Sequence, residues 1–131
     1  VLVDNAIRIK GETSGVEALV INRITSSESI DGFDTLYVRY TGSGSDGETS
    51  TFLDGENLIT LSNINYLNTT IAADSQFARC VVSDATSVGS AFSVSEGVYF
   101  IRGFFVKNVT STIILDQYTN TPSYRVGFLL K

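Results

Sequence analysis

The sequence predicts an all-β fold: a single small antiparallel β-sandwich or barrel-like domain over residues 1–131, with at most a short helical turn. Three observations carry this. Short runs rich in Val, Ile, Thr, Tyr and Phe are each closed by Gly, Asn, Asp or Ser, the punctuation of strands and turns. In "DTLYVRYT", Leu36, Val38 and Tyr40 fall to one side and Tyr37, Arg39 and Thr41 to the other, the period of a strand with one buried face. No long stretch repeats apolar residues at helical spacing, and 131 residues of which 43% are apolar suffice for one core.

In chain order the strand-like runs are "AIRIK", "VEALVINRI", "DTLYVRY", "FARCVVS", "GVYFIRG", "FFVKNVT", "TIILD" and "YRVGFLL". Asp31-Gly32, Asp46-Gly47 and Asp54-Gly55 are expected at turn tips, because these pairs tolerate positive φ. The polar stretch "GSGSDGETS", Gly42 to Ser50, reads as a long hairpin loop between strand-like flanks. Between Asn63 and Gln76, Ile64, Leu67 and Ile71 follow a three-and-four spacing that allows a helical turn, although the Asn, Thr and Ser between them are poor helix formers. Arg102-Gly103 separates "VYFI" from "FFVKNV" and suggests a two-residue hairpin turn. A type I′ turn needs positive φ at both central residues, which suits Gly103 and disfavours Arg102, so a bulged or longer turn is the alternative.

The chemistry that the composition excludes is broad. The chain has no His, which removes Ser-His-Asp and Cys-His catalysis, His-ligated zinc and the commonest general acid or base. Its one cysteine, Cys80, sits in "FARCVV" and reads as a small buried hydrophobe, with no cationic cluster to activate it. A net charge of -5 with nine scattered Lys and Arg argues against nucleic acid. No apolar run approaches the roughly 18 residues of a membrane-spanning helix. "GSGSDG" lacks the strand–turn–helix setting of a nucleotide-binding loop.

The remaining catalytic option is carboxylates. Asp31, Asp34, Asp46, Glu48, Asp54 and Glu56 form three acidic loop pairs that could run glycoside hydrolysis or hold calcium, but solvated turn residues are the default. We therefore expect no enzyme activity, no catalytic residue, no metal and no cofactor. The fourteen Phe and Tyr residues, most inside apolar runs, are expected to pack in a core rather than to stack on sugars. Val98 to Ile101 is apolar at every position, so both faces should be covered, by the domain's own core or by another subunit. "VYFI", "FFV" and "IIL" carry more apolar surface than one face of a small sheet hides. Phe100, Phe104, Phe105, Tyr118 and Tyr124 are accordingly the candidate interface residues.

Two stretches carry a resemblance. "EGVYFIRGFFV", Glu96 to Val106, followed by "TIILDQYTNTPSYRVG", Thr112 to Gly127, resembles an uncharacterised domain of virion structural proteins of tailed bacteriophages. "IKGETSGVEALV", Ile9 to Val20, and "DTLYVRYTGSGSDGET", Asp34 to Thr49, are similar to upstream strands of the same proteins. The order and spacing of the runs match best in the C-terminal half, and the chain departs at the tight turn, with Arg102-Gly103 where the family favours Asn-Gly. The resemblance implies a structural role in a tail, tail fibre or baseplate, located in the virion. It also implies contacts with other virion proteins and self-association, with a trimer as the expected stoichiometry. The alternative it leaves open is a receptor- or carbohydrate-binding module at a fibre tip, facing host-surface glycan. Such proteins are longer than this one, and with Val1 in place of Met we expect a fragment of a longer virion protein.

Overall fold

The computed structural model describes residues 7–66 and 68–129. All regular structure in them is strand, eleven strands in antiparallel pairs, with no helix among the described residues. Packing separates the chain at Thr86 and Ser87 into two compact units.

The first unit is built on a five-stranded sheet in the order β3-β2-β1-β4-β7. Its strands are β1 (Arg8–Gly11), β2 (Glu17–Ile24), β3 (Thr35–Gly42), β4 (Asn57–Thr60) and β7 (Gln76–Arg79). Alternation decides its inner face: Ile9 of β1 pairs with Ala18 of β2, and these two join Val16, Phe52 and Leu58 as the buried apolar core. Leu36, Val38 and Tyr40 pack against that core, as the period of β3 predicts. Each fully buried aliphatic side chain contributes about 1.5–3 kcal/mol. Register shifts between Val20 and Asn22 and between Leu58 and Ile59 bend the sheet.

Two sequence expectations are corrected here. Gly42 to Ser50 is not a hairpin loop, because β3 is an edge strand and β4 lies on the far side of β1, so the loop begins a crossover. Backbone bonds hold it: the Gly44 amide donates to the Thr49 carbonyl at 2.7 Å and the Ser45 amide to the Ser14 carbonyl at 3.0 Å. Asn63 to Gln76 makes no helical turn. It holds β5 (Ile64–Tyr66) and β6 (Thr69–Ile71), paired through Ile64 and Ile71 and turned at Asn68, with φ 64°. Leu67, the middle residue of the helical spacing, lies outside the described residues. The β-branched Thr69, Thr70 and Ile71 favour the extended form.

All three Asp-Gly pairs sit in turns or bends, with Gly32, Gly47 and Gly55 at φ 77°, 73° and 72°.

The second unit holds β8 (Ser90–Val94), β9 (Gly97–Ile101), β10 (Phe104–Asn108) and β11 (Ser111–Asp116). β9 pairs with β10 and β8 with β11, and the sum of partner numbers is the same from Phe104↔Ile101 to Ile114↔Ala91. The register never slips until the shift beside Asp116, so the four strands form one β-ribbon broken only at Ser95-Glu96 and Val109-Thr110. Side chains bridge that break: Asn108 Nδ2 donates to the Ser95 carbonyl at 3.0 Å and the Glu96 amide to Thr110 Oγ1 at 3.1 Å. "YRVGFLL", read as a strand, is irregular over its described residues. Its Tyr124, Phe128 and Leu129 are exposed, and apolar content alone gave them no ladder partner.

Candidate functional site

The tip of the ribbon turns through Arg102 at φ 50° and Gly103 at φ 84°, with Phe104 opposite Ile101. This is the two-residue turn with positive φ at both positions, and Arg102 carries its strain. Residues directly opposite in an antiparallel pair share a face. One face of the β9–β10 hairpin therefore carries Tyr99 with Val106 and Ile101 with Phe104; the other carries Phe100 with Phe105 and Val98 with Lys107.

The two faces differ. On the first, Tyr99 packs on Phe128 with ring centroids 5.3 Å apart. A groove of about 490 Å³ opens beside it, lined by Phe92, Val94, Tyr99, Ile113, Val126 and Phe128. On the second, the Phe100 and Phe105 rings lie 5.2 Å apart at 56° and remain 66% and 79% exposed, with Val98 at 64%. Of the two covers expected for Val98 to Ile101, the domain's own core does not reach this face among the described residues.

The candidate interface residues divide accordingly. Phe100 and Phe105 are brought together, and Phe104, 73% exposed, stands on the opposite face near the turn. Tyr118 and Tyr124, also exposed, follow β11; Tyr124 lines a second groove of about 300 Å³ with Ile113, Arg125 and Val126. The expectation that the aromatics form the core is corrected, since among the described residues Phe52 is the only large aromatic in the buried cluster and the second unit exposes nearly all of its own. A two-stranded ribbon has too little sheet beneath it to bury both faces.

The carboxylates are spread over separate loops. Asp34 pairs with Arg23 at 2.5 Å, which holds its carboxyl below the usual range. Asp31 accepts from Ser29 Oγ and the Phe33 amide, and Asp54 accepts from the Ala85 amide. Asp46 accepts from Thr49 Oγ1, the Thr49 amide and the Glu48 amide, and these bonds lower its pKa to about 2. Among the described residues no three His, Cys, Asp or Glu side chains come together as a metal site.

Glu56 corrects the reading of the acidic pairs as solvated turn residues. It is only 5% exposed, and its Oε2 accepts from the Thr13 and Ser14 amides at 3.2 and 3.0 Å. Its Oε1 accepts from Ser14 Oγ at 3.0 Å and the Leu53 amide at 2.7 Å. The carboxylate thus pins the loop after β1 to the crossover before β4, a structural task. Cys80 packs at the edge of the core, and burial, with the Glu56 and Asp54 carboxylates behind it, pushes its thiol up to about 11. The small-hydrophobe reading of this residue agrees with that environment.

The apolar ribbon is thus the feature of this chain left without a structural explanation of its own. Comparison with family models, with curated proteins and with solved structures finds no match to any of the three.

Proposed function

We propose that this chain is an assembly domain of a tailed-bacteriophage tail, tail-fibre or baseplate protein, and that its β8–β11 ribbon makes contacts between virion subunits. The observation that carries the reading is the uncovered Phe100–Phe105 face. Leaving two Phe rings and a Val in water forgoes about 1.5–3 kcal/mol per side chain that a partner surface would recover. Exposed apolar patches on open-edged strands are aggregation hazards unless another chain covers them. The phage context comes from the resemblance, whose strongest stretches, Glu96 to Val106 and Thr112 to Gly127, include β9, most of β11 and the segment after it. The role is non-enzymatic on this reading, and the site is the virion.

A glycan-binding module is supported less well. Sugar recognition needs polar groups converging beside the aromatic surface, and the larger groove offers the Ser93 and Ser111 hydroxyls among mainly apolar walls.

The direct test is immunogold labelling of purified particles with antibodies raised against the 131-residue chain. Gold confined to the tail, fibre or baseplate is expected; particles that lack the chain by labelling and by mass spectrometry would end the assembly reading.

A further inference from the structure

We infer that two copies of this chain pair face to face through the Val98, Phe100 and Phe105 surface of their β9–β10 hairpins, antiparallel about a twofold axis. The inference rests on the assembly reading and names its partner as a second copy, a twofold pair where the resemblance implies a trimer.

Area is the first argument. Taking about 200 Å² for a Phe side chain, Phe100 and Phe105 together leave roughly 300 Å² in water. Val98, Val109 and the stems of Lys107 and Arg102 bring the face to roughly 600 Å² per copy, so a pair hides about 1,200 Å², at the lower end of stable interfaces. A twofold contact uses the same patch on both copies, so one apolar face suffices.

Charge selects the direction. Arg102, Lys107 and Glu96 are exposed, and none makes an ion pair among the described residues. Glu96 immediately precedes β9 and Arg102 immediately follows it, so the two charges stand at opposite ends of the strand. A twofold axis perpendicular to the strands sets β9 on β9 and β10 on β10. Centred midway between the Val98 and Phe100 rows, it places Phe100 of one copy over Val98 of the other. The same axis sets Lys107 over the Phe105 ring, a cation–π contact, and Arg102 beside Glu96, each contact occurring twice. Parallel stacking instead lays Lys107 on Val98 and gathers both Arg102 side chains at one end, a like-charge contact that costs specificity.

Sedimentation velocity of the 131-residue chain, from micromolar to submillimolar, tests the pairing. A monomer–dimer equilibrium is expected. Glu96→Arg and Arg102→Glu should each weaken the dimer about tenfold, and the double exchange should restore most of the affinity. Both side chains are exposed in the single chain, so neither substitution opens its packed core and the test does not depend on fold-breaking variants. A trimer, or a dimer indifferent to both reversals, overturns the antiparallel contact and leaves the assembly reading to the particle labelling. A wild-type chain that stays monomeric throughout overturns self-pairing altogether, again independently of whether the chain is found in particles.

Discussion

The Phe100 and Phe105 rings meet at a tilt across the β9–β10 ladder, 5.2 Å apart, while Phe52 packs edge-on to Tyr40 at the same 5.2 Å in the core of the first unit. The two pairs have the same separation and opposite surroundings, since Phe105 is 79% exposed and Phe52 6%. Their substitutions should therefore part sharply. Phe52→Ala leaves a cavity and should cost about 3–5 kcal/mol. In the isolated monomer Phe100→Ala and Phe105→Ala should each cost under about 1 kcal/mol, with a pair coupling of roughly 0.5–1 kcal/mol in a double-mutant cycle. Urea denaturation at low protein concentration measures all three; equal losses at Phe52 and Phe105 would mean that the ribbon face is packed in solution.

A second prediction concerns Glu56. Its carboxylate accepts three backbone amides and one hydroxyl, so Glu56→Ala strands buried donors and should cost about 3–5 kcal/mol. Gly11→Ala attacks the same cluster from the other side. A Cβ there would stand 2.5 and 2.6 Å from the Glu56 oxygens, and near Ser14 Oγ as well. Those atoms end a flexible side chain, but four hydrogen bonds fix them, so relief requires breaking some of them, at about 2 kcal/mol. Because both changes disrupt one cluster, the double variant should lose less than the sum. Strict additivity in thermal or urea melts would show that Gly11 and Glu56 do not share it.

The third prediction is a titration. Asp46 is held as a carboxylate first by Thr49 Oγ1 and then by the Thr49 and Glu48 amides, moving its pKa from 3.8 to about 2. A carboxyl depressed in the folded state contributes its stabilisation in full above its unfolded value and loses it as pH falls through the folded value. The window is therefore from 3.8 down to about 2. NMR of the side-chain carboxyl should give a midpoint near the lower figure, and Thr49→Val should move it up toward the ordinary value. A midpoint unchanged in Thr49→Val would assign the depression to another cause.

How far the sequence disclosed this molecule depended on where the deciding partner lay. The face of β3 was legible because alternation is local, so Leu36, Val38 and Tyr40 could be assigned inward before any partner strand was known. β4, "NLIT", and β8, "SAFSV", were missed. The first is four residues long, and small residues dilute the β signal of the second. The crossover after β3 reads locally as a hairpin loop because strand order is a non-local property. Glu56 was beyond local reading, since its Thr13 and Ser14 partners lie 43 and 42 residues away. The candidate interface residues were found by excess apolar content, which locates surplus surface without saying which face carries it; only the register separates Phe104 from Phe100 and Phe105.

The last prediction isolates the turn. Arg102 occupies the left-handed region at φ 50°, beside Gly103 at 84°, and an L-residue other than Asn, Asp or Gly is disfavoured there by roughly 1–2 kcal/mol. Arg102→Asn should stabilise the hairpin by about 0.5–1 kcal/mol, the expected gain when a turn position receives a residue suited to its φ. Gly103→Ala should act oppositely at similar size: a Cβ there meets nothing within 4 Å, so its cost is backbone strain rather than collision. Amide hydrogen exchange at Ile101 and Phe104, the pair flanking the turn, should slow about two- to fivefold in Arg102→Asn and quicken in Gly103→Ala. Sedimentation then separates turn from interface. If Arg102 also meets Glu96 of a second copy, the substitution that steadies the hairpin must weaken the dimer, because Asn cannot supply the charge. A variant with faster exchange would show that the Arg102 side chain supports the hairpin in spite of its φ. One with slower exchange and undiminished dimerisation would confine Arg102 to the turn.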